Sequence, residues 1–236
     1  MDLLDTIRKG LKENADPETK ASQERFFKEE IELYGVKAAN IRRIAKDAKK
    51  TIKAEGLTKA EVFALCEALW SSGIFEEASI ACELSDSQSR SFEPSDFELF
   101  EHWVKDYVSN WAACDTLCNH TIGNLVTQYP QLAERLLVWT ASDNRWERRA
   151  AAVTLIIPAR KGLFLSLVFD IANALLHDKD DLVQKGYGWL LKAAAEAHEN
   201  EVFAYVMQNK PTMPRTALRY AIEKMPPDRK KQAMSK

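Results

Sequence analysis

The chain has 236 residues, of which 46% are hydrophobic and 29% charged, an ordinary balance for a globular protein. This composition excludes a mainly disordered chain, and the lack of an uncharged apolar run of about 18 residues excludes a membrane-spanning helix. The formal net charge is −2, but residues 1–141 carry a balance of −7 and residues 142–236 a balance of +5. Such asymmetry is a hint of an anionic partner for one region.

Hydrophobic residues recur with a helical period along the chain. Apolar side chains fall on one face in residues 22–33, 38–52 and 62–70, and no segment alternates cleanly with the period of a strand. Asp16-Pro17 is a helix start, and Gly35 stands where a glycine ends a helix. Eight glycines and eight prolines are few breakers for this length. We therefore predict an all-α fold of about twelve helices, each about ten to eighteen residues long.

Four segments of similar character predict a repeat. They begin at Asn110, Asn144, Asp181 and Pro214, at intervals of 34, 37 and 33 residues, and a second helix precedes each one. Pairs of helices at this spacing are typical of HEAT-like repeats, which must stack on neighbours to bury their apolar faces. We expect residues 1–236 to form a single HEAT-like α-solenoid domain with a concave surface lined by these four segments.

The four segments carry aromatic and charged residues at helical spacing. In chain order these are Trp111 and Asp115; Arg145, Arg148 and Arg149; Lys185, Trp189 and Lys192; and Arg215 and Arg219. Taken singly, a tryptophan is usually part of a core and a basic residue usually faces solvent. Their recurrence in successive repeats favours a surface for a polyanion with stackable parts, which describes nucleic acid.

Four strings of residues carry a resemblance to a known family. NWAACD (110–115), WTASDNRWERRAA (139–151), QKGYGWLLK (184–192) and MPRTALRYAIEKM (213–225) stand in the order and spacing of the AlkD-type DNA alkylation-repair glycosylases. LYGVKAANIRRIAK (33–46) and ALWSSGIFEEASIA (68–81) are similar more weakly, so the chain resembles this family over nearly its whole length.

The resemblance implies roles for particular residues. It places Trp111, Asp115 and Trp189 in the catalytic site, Arg149 at a phosphate-binding position, and Lys192 where the family has an arginine. The residues themselves add Arg148, Lys185 and Arg215 as candidate DNA contacts. Because an ammonium is a point charge and a guanidinium is a planar fork, Lys192 should be the weaker clamp.

The resemblance also implies a reaction. The family removes positively charged N3- or N7-alkylated purines from duplex DNA without flipping the base into a pocket. A cationic purine leaves without a general acid, so the requirement is a carboxylate to stabilise positive charge on the sugar, and Asp115 is the candidate. We expect a monofunctional DNA glycosylase that uses no metal and no cofactor and that cleaves no strand.

Other signals are weak. Cys114 and Cys118 lack a second pair of ligands for zinc and are better interpreted as buried small side chains. Four cysteines without a disulfide framework and an acidic N-terminus predict a reducing cytoplasm. We expect no membrane partner, and we expect a monomer, because a solenoid with a polar helix at each end can be monomeric. The alternative function is a non-catalytic HEAT-repeat scaffold that binds DNA structures or other proteins, because a fold does not fix a function.

Overall fold

The computed structural model describes residues 2–235, which form helices and two isolated β-bridges. A 3₁₀-helix spans Ser89–Ser91, a second spans Pro130–Glu134, and a π-helix spans Leu117–Ile122. The α-helices, in chain order, are α1 Leu3–Glu13, α2 Pro17–Glu24, α3 Ala38–Glu55, α4 Lys59–Trp70, α5 Phe75–Asp86, α6 Asp96–Asp106, α7 Trp111–Thr116, α8 Gly123–Gln128, α9 Arg135–Trp139, α10 Arg145–Val153, α11 Ile156–Arg160, α12 Leu165–Ala174, α13 Asp181–Ala194, α14 Glu199–Asn209, α15 Arg215–Ala221 and α16 Pro227–Met234.

The all-α prediction is confirmed, and so are the starts of the four repeat-like helices. Helices α7, α10, α13 and α15 begin at Trp111, Arg145, Asp181 and Arg215, each within one residue of its predicted start. The helices are more numerous and often shorter than predicted. Pro158 shows one reason: it has no N–H to bond to the carbonyl four residues earlier, and the helical run is interrupted between α10 and α11.

Residue contacts divide the chain into two compact units, residues 1–121 and residues 122–236. Unit 1 has an aromatic core in which Phe63, Phe100 and Trp103 meet at ring centroid distances of 5.4–6.1 Å. Unit 2 is centred on α13, which packs against α10, α11, α12 and α15. The single continuous domain expected from the sequence stays a prediction. Within residues 2–235, every helix is too short or too polar to span a membrane.

The helix expected over residues 22–33 is wrong, because α2 ends at Glu24 and residues 25–37 are irregular. A carboxylate distant in sequence accepts hydrogen bonds from the backbone at the end of this segment. Glu76 of α5, which is fully buried, accepts hydrogen bonds from the N–H groups of Tyr34, Gly35 and Val36 at 2.8–2.9 Å. These bonds satisfy backbone N–H groups just after residue 33 and fix the C-terminal end of the loop on α5.

A second carboxylate holds the same loop. Glu77 is 1% exposed, forms an ion pair with Arg8 of α1 at 3.0 Å, and accepts a hydrogen bond from the Tyr34 hydroxyl at 2.8 Å. Burial and the bond to Glu77 raise the pKa of Tyr34 to about 12, so this hydroxyl keeps its proton at neutral pH. The loop that carries Phe26 and Phe27 is thus anchored at its C-terminal end in unit 1.

Candidate active site and nucleic-acid interface

Helix α7 in unit 1 carries the predicted carboxylate and one of the predicted tryptophans. The buried Asn110 caps it by accepting a hydrogen bond from the Ala113 N–H at 2.9 Å. Trp111 and Asp115 lie one helical turn apart, so they share a face, and both are half-buried. Both side chains are therefore within reach of a ligand from solvent while their backbone is fixed by the helix.

A π-helix follows this turn at residues 117–122. Wide helical turns of this type are frequent at functional sites in proteins. Here the Asn119 side chain donates a hydrogen bond to the backbone carbonyl of Asp115 at 3.0 Å, which links the π-helix to the residue that carries the carboxylate. Cys114 and Cys118 are fully buried and form no disulfide, which confirms their interpretation as small core side chains.

Trp111 packs against aromatic residues that the sequence did not assign to a site. Phe27 stacks on Trp111 with 5.6 Å between ring centroids and 28° between planes, and Phe75 meets Phe27 edge-on at 5.5 Å. These rings line an open pocket of about 360 Å³ in unit 1, with Phe26 at its rim. The only sequence signal for this pocket is the pair Phe26-Phe27. The two aromatic partners of Phe27 are 48 and 84 residues away in the sequence.

In unit 2, the arginines of α10 have internal partners. Arg145 binds Asp180 at 2.8 Å, and Arg148 binds Asp178 at 2.6 Å and the carbonyls of Ser142 and Asp143 at 2.8 and 3.0 Å. Asp178 and Asp180 precede α13, so these ion pairs tie α10 to the N-terminal end of α13. Neither acid was predicted from the sequence, although the run DKDD (178–181) ahead of a helix could have indicated them.

Arg149 is the most deeply placed of the predicted DNA contacts. It is 5% exposed and donates a hydrogen bond to the backbone carbonyl of Leu182 in α13. A buried guanidinium with a carbonyl partner holds two helices together, and a phosphate contact would require it to reorient. Its phosphate-binding role stays a prediction.

Helix α13 presents the predicted stripe of two lysines and a tryptophan. Lys185, Trp189 and Lys192 are all half-buried on this fourteen-residue helix. Lys185 pairs with Asp181 at 2.6 Å, and Lys192 pairs with Glu223 at 2.8 Å. The hydrogen bond from Lys192 lowers the pKa of Glu223, so this carboxylate stays ionised at neutral pH.

Two further predicted cations lie on α15. Arg215 and Arg219 are exposed near the start and end of this helix. Lys192 lies over the ring of Tyr220 on the same helix, with 5.5 Å from its ammonium to the ring centroid. Among residues 2–235, no group of three or more His, Cys, Asp or Glu side chains is arranged to hold a metal ion.

The fold is shared with a solved structure. That structure is described as a predicted DNA alkylation repair enzyme from Enterococcus faecalis, and it matches with a TM-score of 0.80 and 17% sequence identity over 91% of this chain and 98% of that chain. At this identity the match shows a common helical fold. A comparison with curated proteins finds no match.

The family comparison is more specific. A family model described as DNA alkylation repair enzyme matches residues 7–225. The chain therefore belongs to the DNA alkylation repair enzyme family, which confirms the family indicated by its sequence motifs.

Proposed function

We propose that this protein is a DNA glycosylase that hydrolyses the N-glycosidic bond of positively charged N3- or N7-alkylated purines in duplex DNA. The observation that carries the proposal is the half-exposed Asp115 one helical turn from Trp111, in a chain that belongs to a DNA alkylation repair family. A carboxylate that reaches solvent beside an aromatic ring suits a reaction in which positive charge develops on a sugar.

The reaction does not require the protein to protonate the leaving base. As the bond from the sugar C1′ to the purine nitrogen breaks, its electron pair stays on the base, and the cationic purine leaves as a neutral molecule. Positive charge moves to the sugar as an oxocarbenium ion, which the Asp115 carboxylate stabilises. Water then forms the new bond to C1′ and loses a proton, and Asp115 orients that water or accepts its proton.

The tryptophans assist through their ring faces. An electron-rich face attracts a cation placed over it, which contributes about 0.5–2 kcal/mol per ring. Trp111 is assigned this role from its position in unit 1. Trp189 is assigned the same role from the family resemblance. The same resemblance supports a reaction in which the lesion stays stacked in the duplex.

The phosphate contacts are assigned to the basic residues of unit 2. Arg215 is exposed and accessible to a phosphate directly. Lys185, Lys192 and Arg148 are paired with carboxylates, so a phosphate would have to replace those partners. This exchange favours contact with a correctly placed phosphate over diffuse attraction to any strand.

The proposal is tested by release of 7-methylguanine from methylated duplex DNA under single-turnover conditions. Asp115→Asn keeps the shape of the side chain and removes its charge, so we expect a rate loss of at least about tenfold, or ~1.4 kcal/mol in barrier. DNA affinity should be unchanged or higher, because a negative charge has been removed. Asp5→Asn, at an exposed position of α1, removes the same charge from the same unit as the matched control.

Each result decides between the enzyme and the alternative. Equal rates for wild type and Asp115→Asn would reject the mechanism. No release of base by the wild-type protein, with DNA binding retained, would reject the glycosylase and favour a non-catalytic DNA-binding scaffold.

A further inference from the structure

The aromatic pocket of unit 1 adjoins the candidate catalytic helix. Trp111 and Ala112 form one wall and the irregular loop after α2 forms another. Its volume of about 360 Å³ falls within the range of about 300–1,000 Å³ that small-molecule sites have. The pocket is therefore large enough for a small planar ligand and shares a side chain with the proposed site of cleavage.

The rings of this pocket are arranged to take a flat aromatic molecule. Phe27 and Trp111 are stacked, and Phe75 supports Phe27 from its edge. Phe26 at the rim is 73% exposed, one of the three large hydrophobic side chains exposed among residues 2–235. Stacking of one nucleobase on an aromatic side chain contributes about 1–3 kcal/mol and suits any base, since each has a π face.

Polar atoms in the pocket wall select for hydrogen-bond donors. The Ser79 hydroxyl donates to the Phe75 carbonyl at 2.8 Å, and the Thr116 hydroxyl donates to the Ala112 carbonyl at 2.8 Å. Each hydroxyl has one proton and two lone pairs, so both remain as acceptors for a ligand. A purine base carries N–H groups on its edge, which these oxygens can accept.

The charges in the wall disfavour a cationic ligand. Arg42 and Glu83 both line the pocket and have opposite signs. Glu83 is already paired with Lys49 at 2.5 Å. With its carboxylate neutralised in this way, the pocket offers no unbalanced negative charge to attract a cation, and apolar contact dominates its lining.

We propose that this pocket binds the purine base that the glycosylase releases. The proposal rests on the proposed function, because the reaction converts a cationic base in DNA into a neutral, planar purine with free N–H groups. That product matches the pocket in shape, charge and hydrogen bonding. Trp111 belongs both to the pocket wall and to the helical turn of Asp115, so the released base has a binding surface next to the point of cleavage.

The experiment fills the pocket by substitution at an exposed residue, where the fold tolerates a larger side chain. Ala38 lines the pocket and is exposed in the first turn of α3, so Ala38→Phe adds a ring to the pocket at little cost to the fold. Ala39, its exposed neighbour, does not line the pocket, and Ala39→Phe is the matched control. Equilibrium dialysis with radiolabelled 7-methylguanine measures base binding without DNA. Single-turnover release of base from methylated duplex measures catalysis separately.

The expected result is saturable binding of 7-methylguanine by wild type and Ala39→Phe, at least about tenfold weaker binding by Ala38→Phe, and unchanged single-turnover rates in all three. In multiple turnover, added 7-methylguanine should inhibit the wild type and not Ala38→Phe. Absence of binding by the wild type, or equal binding by Ala38→Phe, would overturn the proposal.

Two other outcomes are distinguishable from that failure. A folded Ala38→Phe protein that loses single-turnover release would show that the pocket acts before cleavage, which overturns its assignment to the product. A wild-type protein that releases no base from DNA would refute the proposed function, and the dialysis result would show independently whether the pocket binds a purine.

Discussion

Helices α13 and α15 in unit 2 approach each other closely at Gly188, and this approach makes a quantitative prediction possible. A Cβ atom at this position would lie 2.7 Å from the Tyr220 Cβ, 2.8 Å from the Ala217 carbonyl oxygen and 3.1 Å from the Ala217 Cα. Ordinary van der Waals contact begins at about 3.4 Å, and none of these atoms is the tip of a flexible side chain. In Gly188→Ala, α13 and α15 must therefore move apart.

Gly186 on the same helix supplies the matched control. A Cβ atom there would meet the Arg149 Cγ at 3.5 Å, which is an ordinary contact. Both substitutions replace a glycine inside a helix by alanine, which by itself stabilises by about 1 kcal/mol. Overpacking costs about 1–3 kcal/mol and applies only at position 188, so the net effect of Gly188→Ala is a loss of up to about 2 kcal/mol in the free energy of unfolding.

The assay is thermal or urea unfolding of the two variants beside wild type. For a chain of this size, 1 kcal/mol corresponds to about 2–4 °C in Tm. We expect Gly186→Ala to unfold slightly above wild type and Gly188→Ala several degrees below it. Because Trp189 follows Gly188 and Lys192 lies over Tyr220, Gly188→Ala should also weaken DNA binding. A Gly188→Ala protein as stable as Gly186→Ala would refute the close approach of the two helices.

Two further variants test the loop anchor and the DNA contacts. In Glu76→Gln the side chain has one acceptor oxygen where the carboxylate has two, so N–H groups among residues 34–36 lose a partner. We expect the free energy of unfolding to fall by about 1–3 kcal/mol and the amides of residues 34–36 to exchange faster. The exposed Glu98→Gln is the control and should change neither quantity. Arg215→Ala should weaken DNA binding uniformly across sequences and lower the slope of log K against log salt by about one contact, whereas the exposed Arg90→Ala of unit 1 should leave the slope unchanged.

The sequence predicts local features well because their causes are local. Asp16 accepts the Thr19 N–H at 3.1 Å to cap α2, and Asn144 accepts the Trp146 N–H at 2.9 Å to cap α10. Capping residues and helical periodicity are properties of a few consecutive residues, so they can be recognised without knowledge of the fold. The starts of the repeat-like helices followed from the same signals.

The missed features depend on residues far apart in the chain. Glu76 fixes the end of the loop after α2 by accepting hydrogen bonds from N–H groups about 40 residues earlier, and no pattern within residues 22–33 reveals this partner. Phe27 and Trp111 form one stacked pair across 84 positions. An irregular segment whose apolar side chains pack can show the same amphipathic pattern as a helix. The periodicity of residues 22–33 therefore predicted a helix that does not form.

The basic residues of unit 2 show why composition alone overstates the attraction for DNA. Arg145, Arg148, Lys185 and Lys192 each pair with a carboxylate at 2.6–2.9 Å, so much of their charge is already neutralised at short range. The Arg148–Asp178 pair is 19% and 9% exposed at its side chains, and breaking it leaves a largely buried carboxylate without its partner. A phosphate can replace Asp178 only if it offers Arg148 comparable hydrogen bonds in the same place. We infer that the Arg145 and Arg148 pairs act first to position α10 against the N-terminal end of α13, and that all four pairs favour only a backbone whose phosphates are correctly spaced.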